Sequence, residues 1–285
     1  MQHKRRNDRM PIITVEELKS IQQSNDITII DVRSHLTKPH YGKEQYDLAH
    51  IPGAFFLDME EDLSSPEKEH GGRHPLPEVE KLAEKLGDIG VDETRTVVFY
   101  DDGTGAFASR AWWILHDLGH KDTRILEGGI QAWQDNGNDV TDKLPQATSV
   151  IFTPKAAYNY IVTMQEVKDR DRNKTVLIDS RSFDRYQGKV EPLYHKAGHI
   201  PGAKNYFWKD VLTSDNVWKD QATLRKQFAA LEDAEEIIVS CGSGISACPN
   251  IVALKRAGFT NVKLYPGSFS DWISYDNNDV HQGVE

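Results

Sequence analysis

The sequence predicts an α/β fold of two tandem domains, each a parallel sheet flanked by helices. The first observation is an internal repeat: the segment IIDVR at 29–33 recurs as LIDSR at 177–181, and HIPGA at 50–54 recurs at 199–203. The second is that short apolar runs alternate with helical stretches in both halves, as strands and helices do in α/β folds. Motifs that recur in the same order indicate a duplicated domain.

Four buried strands are predicted from short runs rich in β-branched residues, at 27–32, 96–100, 176–179 and 236–240. Nearly continuous apolar strands are typical of sheets covered on both faces, which are usually parallel. A short helix is predicted to open each half, because a threonine precedes a glutamate by three residues, the spacing of a capping box. These pairs are Thr14 with Glu17 and Thr163 with Glu166.

Longer helices are predicted at 107–118 and 248–257, and a glycine suited to end a helix follows each of them. The stretch from about 137 to 158 contains prolines and no sustained period, so it predicts a link between domains. The N-terminal residues lack the apolar core of a secretory signal. The expected divisions are a flexible tail at 1–10, a first domain at 11–138, a linker at 139–157 and a second domain at 158–285.

The composition is that of an ordinary soluble globular protein, with 38% hydrophobic and 27% charged residues among 285. A formal net charge of −10 argues against a nucleic-acid partner, because phosphate groups would be repelled. No apolar run reaches the roughly 18 residues of a membrane span. The two cysteines, Cys241 and Cys248, are fewer than a disulfide-stabilised secreted protein usually carries, which favours the reducing cytoplasm.

The segment EIIVSCGSGISACPN at 236–250 carries the strongest chemical signal. Cys241 follows a predicted strand and starts a glycine-rich turn, and Pro249 suits the first turn of the next helix. Gly242 and Gly244 allow backbone N–H groups to converge on one point, where a thiolate would be stabilised. Cys241 is therefore a candidate nucleophile. The alternative is a small buried apolar residue beside an ordinary turn.

The first half has Asp101 at the position of Cys241, followed by DGTGA at 102–106. It keeps the glycine-rich turn without a nucleophile, so we expect one working site beside one copy without catalytic function. Cys248 follows Cys241 on the predicted helix, where packing is favoured over a role as a second reactive thiol.

These motifs resemble the tandem-domain rhodanese-type sulfurtransferases, and among them most closely the 3-mercaptopyruvate branch. The resemblance runs from about residue 12 to residue 275 and includes both HIPGA elements and GSFSDW at 267–272. In that family a six-residue loop begins with the cysteine that accepts sulfur. The loop CGSGIS at 241–246 is similar to the C-G-S/T-G-V-T of the 3-mercaptopyruvate branch, whereas the thiosulfate branch reads C-R-K-G-V-T.

The resemblance implies that Cys241 is the nucleophile and that Ser243, His74 and Glu60 form a proton relay. Isolated histidine and glutamate residues in loops are more often solvated, which is the alternative for His74 and Glu60. Arg185 resembles a family arginine that binds the carboxylate or sulfonate of the donor, for which the guanidinium fork is suited; an ordinary surface arginine is the alternative. Further donor contacts are expected from the rest of the loop, at Gly242, Gly244, Ile245 and Ser246.

The chain departs from the family at one binding position. Mercaptopyruvate enzymes usually have a second arginine nine residues after the first, and this chain has Tyr194 there. Lys189, His195 or Lys196 could supply the missing positive charge.

The resemblance implies an enzyme that moves sulfur from 3-mercaptopyruvate to a thiol or cyanide acceptor through a persulfide on Cys241. The expected partners are a small-molecule donor and an acceptor such as thioredoxin, a small thiol or cyanide, with no metal or organic cofactor. Two alternatives stay open: thiosulfate as the donor, and a non-catalytic rhodanese-like binding module. A cysteine-dependent phosphatase is not expected, because its C-x5-R loop needs an arginine where this chain has Ala247.

Overall fold

The computed structural model describes residues 11–24 and 26–285, so the flexible tail predicted at 1–10 lies outside the described residues. The described part forms two parallel sheets with helices packed on them, which confirms the predicted α/β fold of two tandem domains. None of its helices has the length and apolar character that a membrane crossing requires.

The first sheet is built from strands β1 (Ile12–Ile13), β2 (Ile27–Asp31), β3 (Phe55–Phe56), β4 (Thr96–Tyr100) and β5 (Thr123–Leu126). Their order across the sheet is β1-β5-β4-β2-β3, and all neighbours are parallel. The helices that follow these strands in turn are α1 (Val15–Ile21), α2 (Tyr41–Leu48), α3 (Val79–Asp88), α4 (Ala106–Asp117) and α5 (Gly129–Asp135).

The second sheet contains β6 (Thr175–Asp179), β7 (Ala203–Asn205), β8 (Glu236–Ser240) and β9 (Val262–Leu264), in the parallel order β7-β6-β8-β9. Its helices are α6 (Met164–Asp169), α7 (Phe183–Tyr186), α8 (Gln221–Gln227), α9 (Cys248–Ala257) and α10 (Ser268–Trp272). Short 3₁₀ helices cover Trp208–Val211 and Ala229–Leu231.

The predicted strands and long helices agree with the observed ones to within one residue at each end. Both capping boxes are present: the Thr14 hydroxyl accepts from the Glu17 N–H at 3.2 Å, and the Thr163 hydroxyl accepts from the Glu166 N–H at 3.3 Å. These local signals are reliable because capping groups satisfy backbone donors that the helix itself leaves unpaired.

The register of the central strands places the two glycine-rich turns at equivalent positions. Strands β2 and β4 pair through Ile29 and Val98, and strands β6 and β8 pair through Leu177 and Ile238. Strand β4 ends next to Asp101 and strand β8 ends next to Cys241. Both turns therefore lie at the carboxyl edge of a parallel sheet, where α/β proteins usually bind ligands.

The two domains share one hydrophobic core along the contact between α4 and α9. Trp113 and Leu115 of the first domain belong to the same buried cluster as Ile251 and Leu254 of the second. The second domain also covers the first-domain turn: a Cβ atom placed on Gly105 would lie 3.2 Å from the Trp218 ring. The relative position of the domains is thus fixed by close packing.

The segment between the last helix of the first domain and the first helix of the second lies along the first domain. The Thr141 N–H donates to the His50 carbonyl at 2.9 Å, and the Val150 N–H donates to the Gly87 carbonyl at 3.0 Å. A bond of 2.9 Å joins the Lys155 N–H to the Leu118 carbonyl. The linker at 139–157 and the domain limits beside it stay a prediction.

Replacing Leu115 by alanine is expected to lower the free energy of unfolding by about 2–5 kcal/mol, because the side chain is 1% exposed in the shared core. Denaturation in urea, followed by circular dichroism, measures the loss. Leu48→Ala is the matched control: this side chain is 72% exposed, so a change within about 0.5 kcal/mol is expected. Equal losses in the two variants would contradict the packing described here.

Candidate active site

The Cys241 thiol lies at the carboxyl end of the central strand β8 and is 1% exposed. The Gly244 N–H donates to its sulfur at 3.1 Å, and the Ser268 hydroxyl oxygen lies 4.0 Å from the same atom. The backbone N–H of Cys241 in turn donates to the Ser268 hydroxyl at 3.0 Å. The Ser268 hydroxyl itself donates to the Tyr265 carbonyl at 2.8 Å, so the Gly244 N–H is the close donor to a sulfur that water scarcely reaches.

The turn around this sulfur requires glycine at one position. Gly244 has a φ of +80°, and a Cβ atom there would lie 2.3 Å from the Pro266 carbonyl oxygen. Helix α10 holds the turn from the other side, since the Phe269 N–H donates to the Cys241 carbonyl and the Ser270 N–H to the Gly242 carbonyl, at 3.0 and 2.9 Å. The sequence prediction of a tight turn is met by this geometry.

The remaining loop residues differ in what they can offer a ligand. Ile245 is 4% exposed and belongs to the shared core, so contact with a donor would come from its backbone. Ser246 is partly exposed just before α9, which begins with Cys248 and has Pro249 in its first turn.

Three residues named from the sequence form a hydrogen-bonded chain across the domain boundary. His74 Nδ1 lies 2.7 Å from the Ser243 hydroxyl oxygen, and His74 Nε2 lies 2.8 Å from Glu60 Oε1. Because the Glu60 carboxylate is an acceptor, Nε2 carries the proton, and Nδ1 of a neutral ring accepts from the Ser243 hydroxyl. His74 is 1% exposed, so it is not a solvated loop residue.

The electrostatics of this hydrogen-bonded chain favour an ionised Glu60 carboxylate. The hydrogen bond from His74 lowers the pKa of the Glu60 carboxyl, and the charges of His74 and Arg73 act in the same direction, while burial opposes them. Glu60 is 57% exposed, so the chain runs from solvent to the buried loop.

The first-domain segment that carries His74 is fixed against α10. The Gly71 N–H donates to Asp271 Oδ1 at 2.8 Å, and the Arg73 N–H donates to the Ser270 hydroxyl at 3.1 Å. A Cβ atom on Gly72 would lie 2.5 Å from the Gly267 carbonyl oxygen, so glycine allows this approach. The segment therefore covers the second-domain loop and delivers the histidine to it.

Arg110 is a site residue that the sequence analysis missed. It lies in α4, is fully buried, and donates from Nη1 to the Gly244 carbonyl at 3.3 Å and from Nη2 to the His74 carbonyl at 3.1 Å. Burial lowers the pKa of its guanidinium. An arginine within the apolar helix AFASRAWWILHD is the signal that could have identified it, because buried charges are rare without a specific partner.

The second cysteine packs beneath the loop. Cys248 Sγ donates to the Gly244 carbonyl at 3.3 Å, and burial raises the pKa of the Cys248 thiol to about 12. This thiol is therefore neutral at physiological pH, in agreement with a packing role.

Arg185 and Tyr194 lie on the other side of the loop. Arg185 forms an ion pair with Glu191, with Nη2 at 2.8 Å from Oε1 and 3.0 Å from Oε2. Its Cζ atom lies 5.5 Å from the centre of the Tyr194 ring. The Tyr194 hydroxyl lies over Gly242, where an added Cβ atom would be 2.8 Å from it.

The three cations suggested from the sequence as substitutes for a second arginine differ in how far they are exposed to solvent. Lys189 and His195 are exposed, and Lys196 is half-buried.

The equivalent turn of the first domain holds a carboxylate in place of a thiol. Asp101 Oδ1 accepts from the N–H groups of Gly103 and Gly105, each at 2.9 Å, and Oδ2 accepts from those of Phe107 and Ala108 at 3.0 and 3.3 Å. The donors of this turn are thus already occupied within the chain. Over the described residues there is no group of three or more histidine, cysteine or carboxylate side chains placed to hold a metal ion.

Comparison with known proteins connects this geometry to a family. The rhodanese-like domain family matches the chain twice, at residues 14–136 and 163–275. A protein of Pseudomonas aeruginosa named as a probable 3-mercaptopyruvate sulfurtransferase is 38% identical over 278 residues, which cover 95% of this chain and 98% of that protein. The chain belongs to the rhodanese family.

Other relatives are named for one or the other of two sulfur donors, thiosulfate and 3-mercaptopyruvate. The thiosulfate sulfurtransferase of Mus musculus is 29% identical over 90% of this chain and 89% of its own length. The crystal structure of a 3-mercaptopyruvate sulfotransferase from Escherichia coli is similar with a TM-score of 0.78 at 30% identity, over 92% of this chain and all of that one. Two tandem rhodanese-like domains, each a parallel sheet flanked by helices, are thus common to this chain and its relatives.

Iodoacetamide at about pH 8 is expected to leave Cys248 unmodified in the folded protein, because the thiolate is the reactive form and this thiol ionises only near pH 12. Mass spectrometry of the cysteine peptides measures the modification. The Cys241→Ser variant is the sharpest test, since Cys248 is then the one cysteine left in the chain. It should react fully in guanidinium chloride and not in buffer; rapid reaction in buffer would show that the thiol is accessible.

Proposed function

We propose that this rhodanese-family protein is a sulfurtransferase that takes sulfur from 3-mercaptopyruvate and passes it to a thiol or to cyanide. The observation that carries the proposal is that Cys241 and Ser243 lie on the same turn, and that the Ser243 hydroxyl begins the hydrogen-bonded chain through His74 to Glu60. A nucleophilic sulfur with a proton relay beside it is what a reaction that cleaves a carbon–sulfur bond needs.

In the first half-reaction the Cys241 thiolate attacks the sulfur of 3-mercaptopyruvate. A sulfur–sulfur bond forms, the carbon–sulfur bond of the donor breaks, and its electron pair stays on carbon as the enolate of pyruvate. The cysteine sulfur is oxidised while that carbon is reduced. The Gly244 N–H, which already donates to the sulfur at 3.1 Å, stabilises the negative charge of the persulfide.

The relay carries the proton that completes this step. Overall the proton of the donor's thiol ends on the carbon of pyruvate, so a group next to both atoms must move it. Ser243 has the required hydroxyl, and His74 accepts from that hydroxyl at 2.7 Å. Glu60 keeps the proton on Nε2 of the ring and stabilises the positive charge that His74 acquires in passing.

Donor binding is assigned to Arg185 and to the loop. The Nε and Nη2 groups of Arg185 donate to Glu191, and neither of these two hydrogen bonds uses the Nη1 group. It binds the donor's carboxylate, while the backbone of Gly242, Gly244, Ile245 and Ser246 lies along the donor.

In the second half-reaction a nucleophile attacks the outer sulfur of the persulfide, and the Cys241 thiolate leaves. Thioredoxin and small thiols fit as acceptors because they present a reduced sulfur, and cyanide would be converted to thiocyanate. Because reduced thiols are maintained in the cytoplasm, we expect the reaction to take place there. No metal or organic cofactor takes part in either half.

Thiosulfate is the second candidate donor, because relatives that carry its name share the fold. Thiosulfate is a dianion, and the two positions after Cys241 are the neutral Gly242 and Ser243. The loop therefore gives less electrostatic attraction to a double charge than a basic loop would. A non-catalytic module is disfavoured for the second domain, since its turn leaves a sulfur at the position that Asp101 fills in the first.

Incubation with 3-mercaptopyruvate is expected to add about 32 Da, one sulfur atom, to the peptide that contains Cys241. Cys241→Ser should abolish both the mass gain and turnover, because a hydroxyl does not accept the sulfur. Cys248→Ser is the matched control and should keep most of the activity. Turnover in a variant that retains only Cys248 would disprove the assignment.

Wild-type protein is expected to have a higher kcat/KM for 3-mercaptopyruvate than for thiosulfate. His74→Asn should lower kcat for 3-mercaptopyruvate by about 100-fold or more, because general acid–base catalysis is lost. The loss with thiosulfate should be much smaller, since sulfite leaves without taking a proton on carbon. Steady-state kinetics with both donors measure kcat and kcat/KM for each, and thus the two losses that are compared.

His70→Asn is the control, because His70 lies in the same segment and stacks on Tyr275 outside the relay. Equal losses with both donors in His74→Asn would point to a structural role for the ring.

A further inference from the structure

We propose that Arg73, together with the hydroxyl of Tyr194, joins Arg185 in binding the carboxylate of the donor. The inference rests on the proposed function and extends it, because it assigns donor recognition to a residue of the first domain. Neither residue was assigned to binding from the sequence.

The cations of the second domain near the loop are already compensated. Arg181 Nη2 lies 2.6 Å from Asp179 Oδ2, and Arg181 Nη1 lies 3.2 Å from Glu191 Oε2. Arg185 pairs with the same Glu191 at 2.8 Å. Two arginines thus face two carboxylates, so Arg185 by itself gives the donor carboxylate little net positive charge, and a second cation would add to its binding.

Arg73 has no such compensation. Its Nη2 donates to the Leu36 carbonyl at 2.7 Å, and the described residues contain no carboxylate within ion-pair distance of its guanidinium. Its charge helps to lower the pKa of the Glu60 carboxyl, which is already bonded to His74. The partly exposed guanidinium of Arg73 therefore keeps an uncompensated positive charge and N–H groups that can still donate hydrogen bonds.

The backbone places Arg73 beside the loop. Its N–H donates to the Ser270 hydroxyl at 3.1 Å, and the Ser270 N–H donates to the Gly242 carbonyl at 2.9 Å. Two hydrogen bonds thus connect Arg73 to the residue that follows the nucleophile. The Tyr194 hydroxyl lies over the same glycine.

The Tyr194 hydroxyl supplies an uncharged hydrogen-bond donor next to Gly242. Burial raises the pKa of its hydroxyl and the charge of Cys241 adds to the shift, whereas the Ser243 hydroxyl and the charges of Arg73 and Arg185 act against it. The phenol therefore keeps its proton at neutral pH and can donate it to a carboxylate oxygen. Both arginine charges act on this one hydroxyl, so a donor anion beside it would interact with both of them.

The test compares 3-mercaptopyruvate with mercaptoacetone, in which a methyl group replaces the carboxylate. Arg73→Gln should lower kcat/KM for 3-mercaptopyruvate by about 10- to 100-fold, mainly through KM, because one charge-assisted contact is lost. The value for mercaptoacetone should change by less than about threefold. Tyr194→Phe should show the same selectivity with a smaller loss, and Arg73→Lys should recover part of the activity.

Arg95→Gln is the matched control: this partly buried arginine of the first domain pairs with Asp92 at 3.8 Å, so both donors should be unaffected. Equal losses with the two donors in Arg73→Gln, or no loss, would overturn the inference. If Arg73→Gln does not fold, the ratio of kcat/KM for 3-mercaptopyruvate to that for mercaptoacetone is measured in Arg73→Lys and Tyr194→Phe, and that ratio tests the inference. If wild-type protein gains no sulfur from 3-mercaptopyruvate, the proposed function itself fails, and the inference fails with it.

Discussion

The site depends on the backbone of one residue, Gly244. Its N–H donates to the sulfur of Cys241, and its carbonyl accepts from Arg110 of the first domain and from the thiol of Cys248. Cys241, the cysteine beneath it and the neighbouring domain are thus held by the two polar groups of a single residue. These groups belong to adjacent planar peptide units, so their relative direction is set by the φ and ψ angles of Gly244. The left-handed backbone at this glycine is what makes that orientation possible.

The two domains complete each other in an unequal way. The first covers the loop of the second with the His74 segment, and the second covers the turn of the first with Trp218. In one turn a backbone N–H donates to a sulfur, and in the other four backbone N–H groups donate to Asp101. Both turns therefore share their architecture but hold different chemical groups. The first domain contributes His74 to the contacts of the second-domain loop and also contributes to the shared core.

The sequence predicted what is encoded locally. The strands, the capping boxes and the turn at Cys241 follow from short patterns, and the resemblance to a known family identified His74 and Glu60 as partners of Ser243. Contacts between distant segments could not be read in this way. Arg110 lies 134 residues from the carbonyl that it holds, and the approach of Tyr194 to Gly242 depends on how an irregular loop folds back. Neither leaves a periodic or spaced signal in the chain.

The position of Tyr194 over Gly242 also restricts how this loop can evolve. A Cβ atom at position 242 would lie 2.8 Å from the tyrosine hydroxyl, so a larger residue there requires the Tyr194 side chain to shift or to be replaced. The two positions are therefore epistatic: the effect of a change at 242 depends on the residue at 194. A lineage that began from this pair would reach a basic loop at a lower steric cost after a change at 194. In an alignment of relatives, the two columns should consequently vary together.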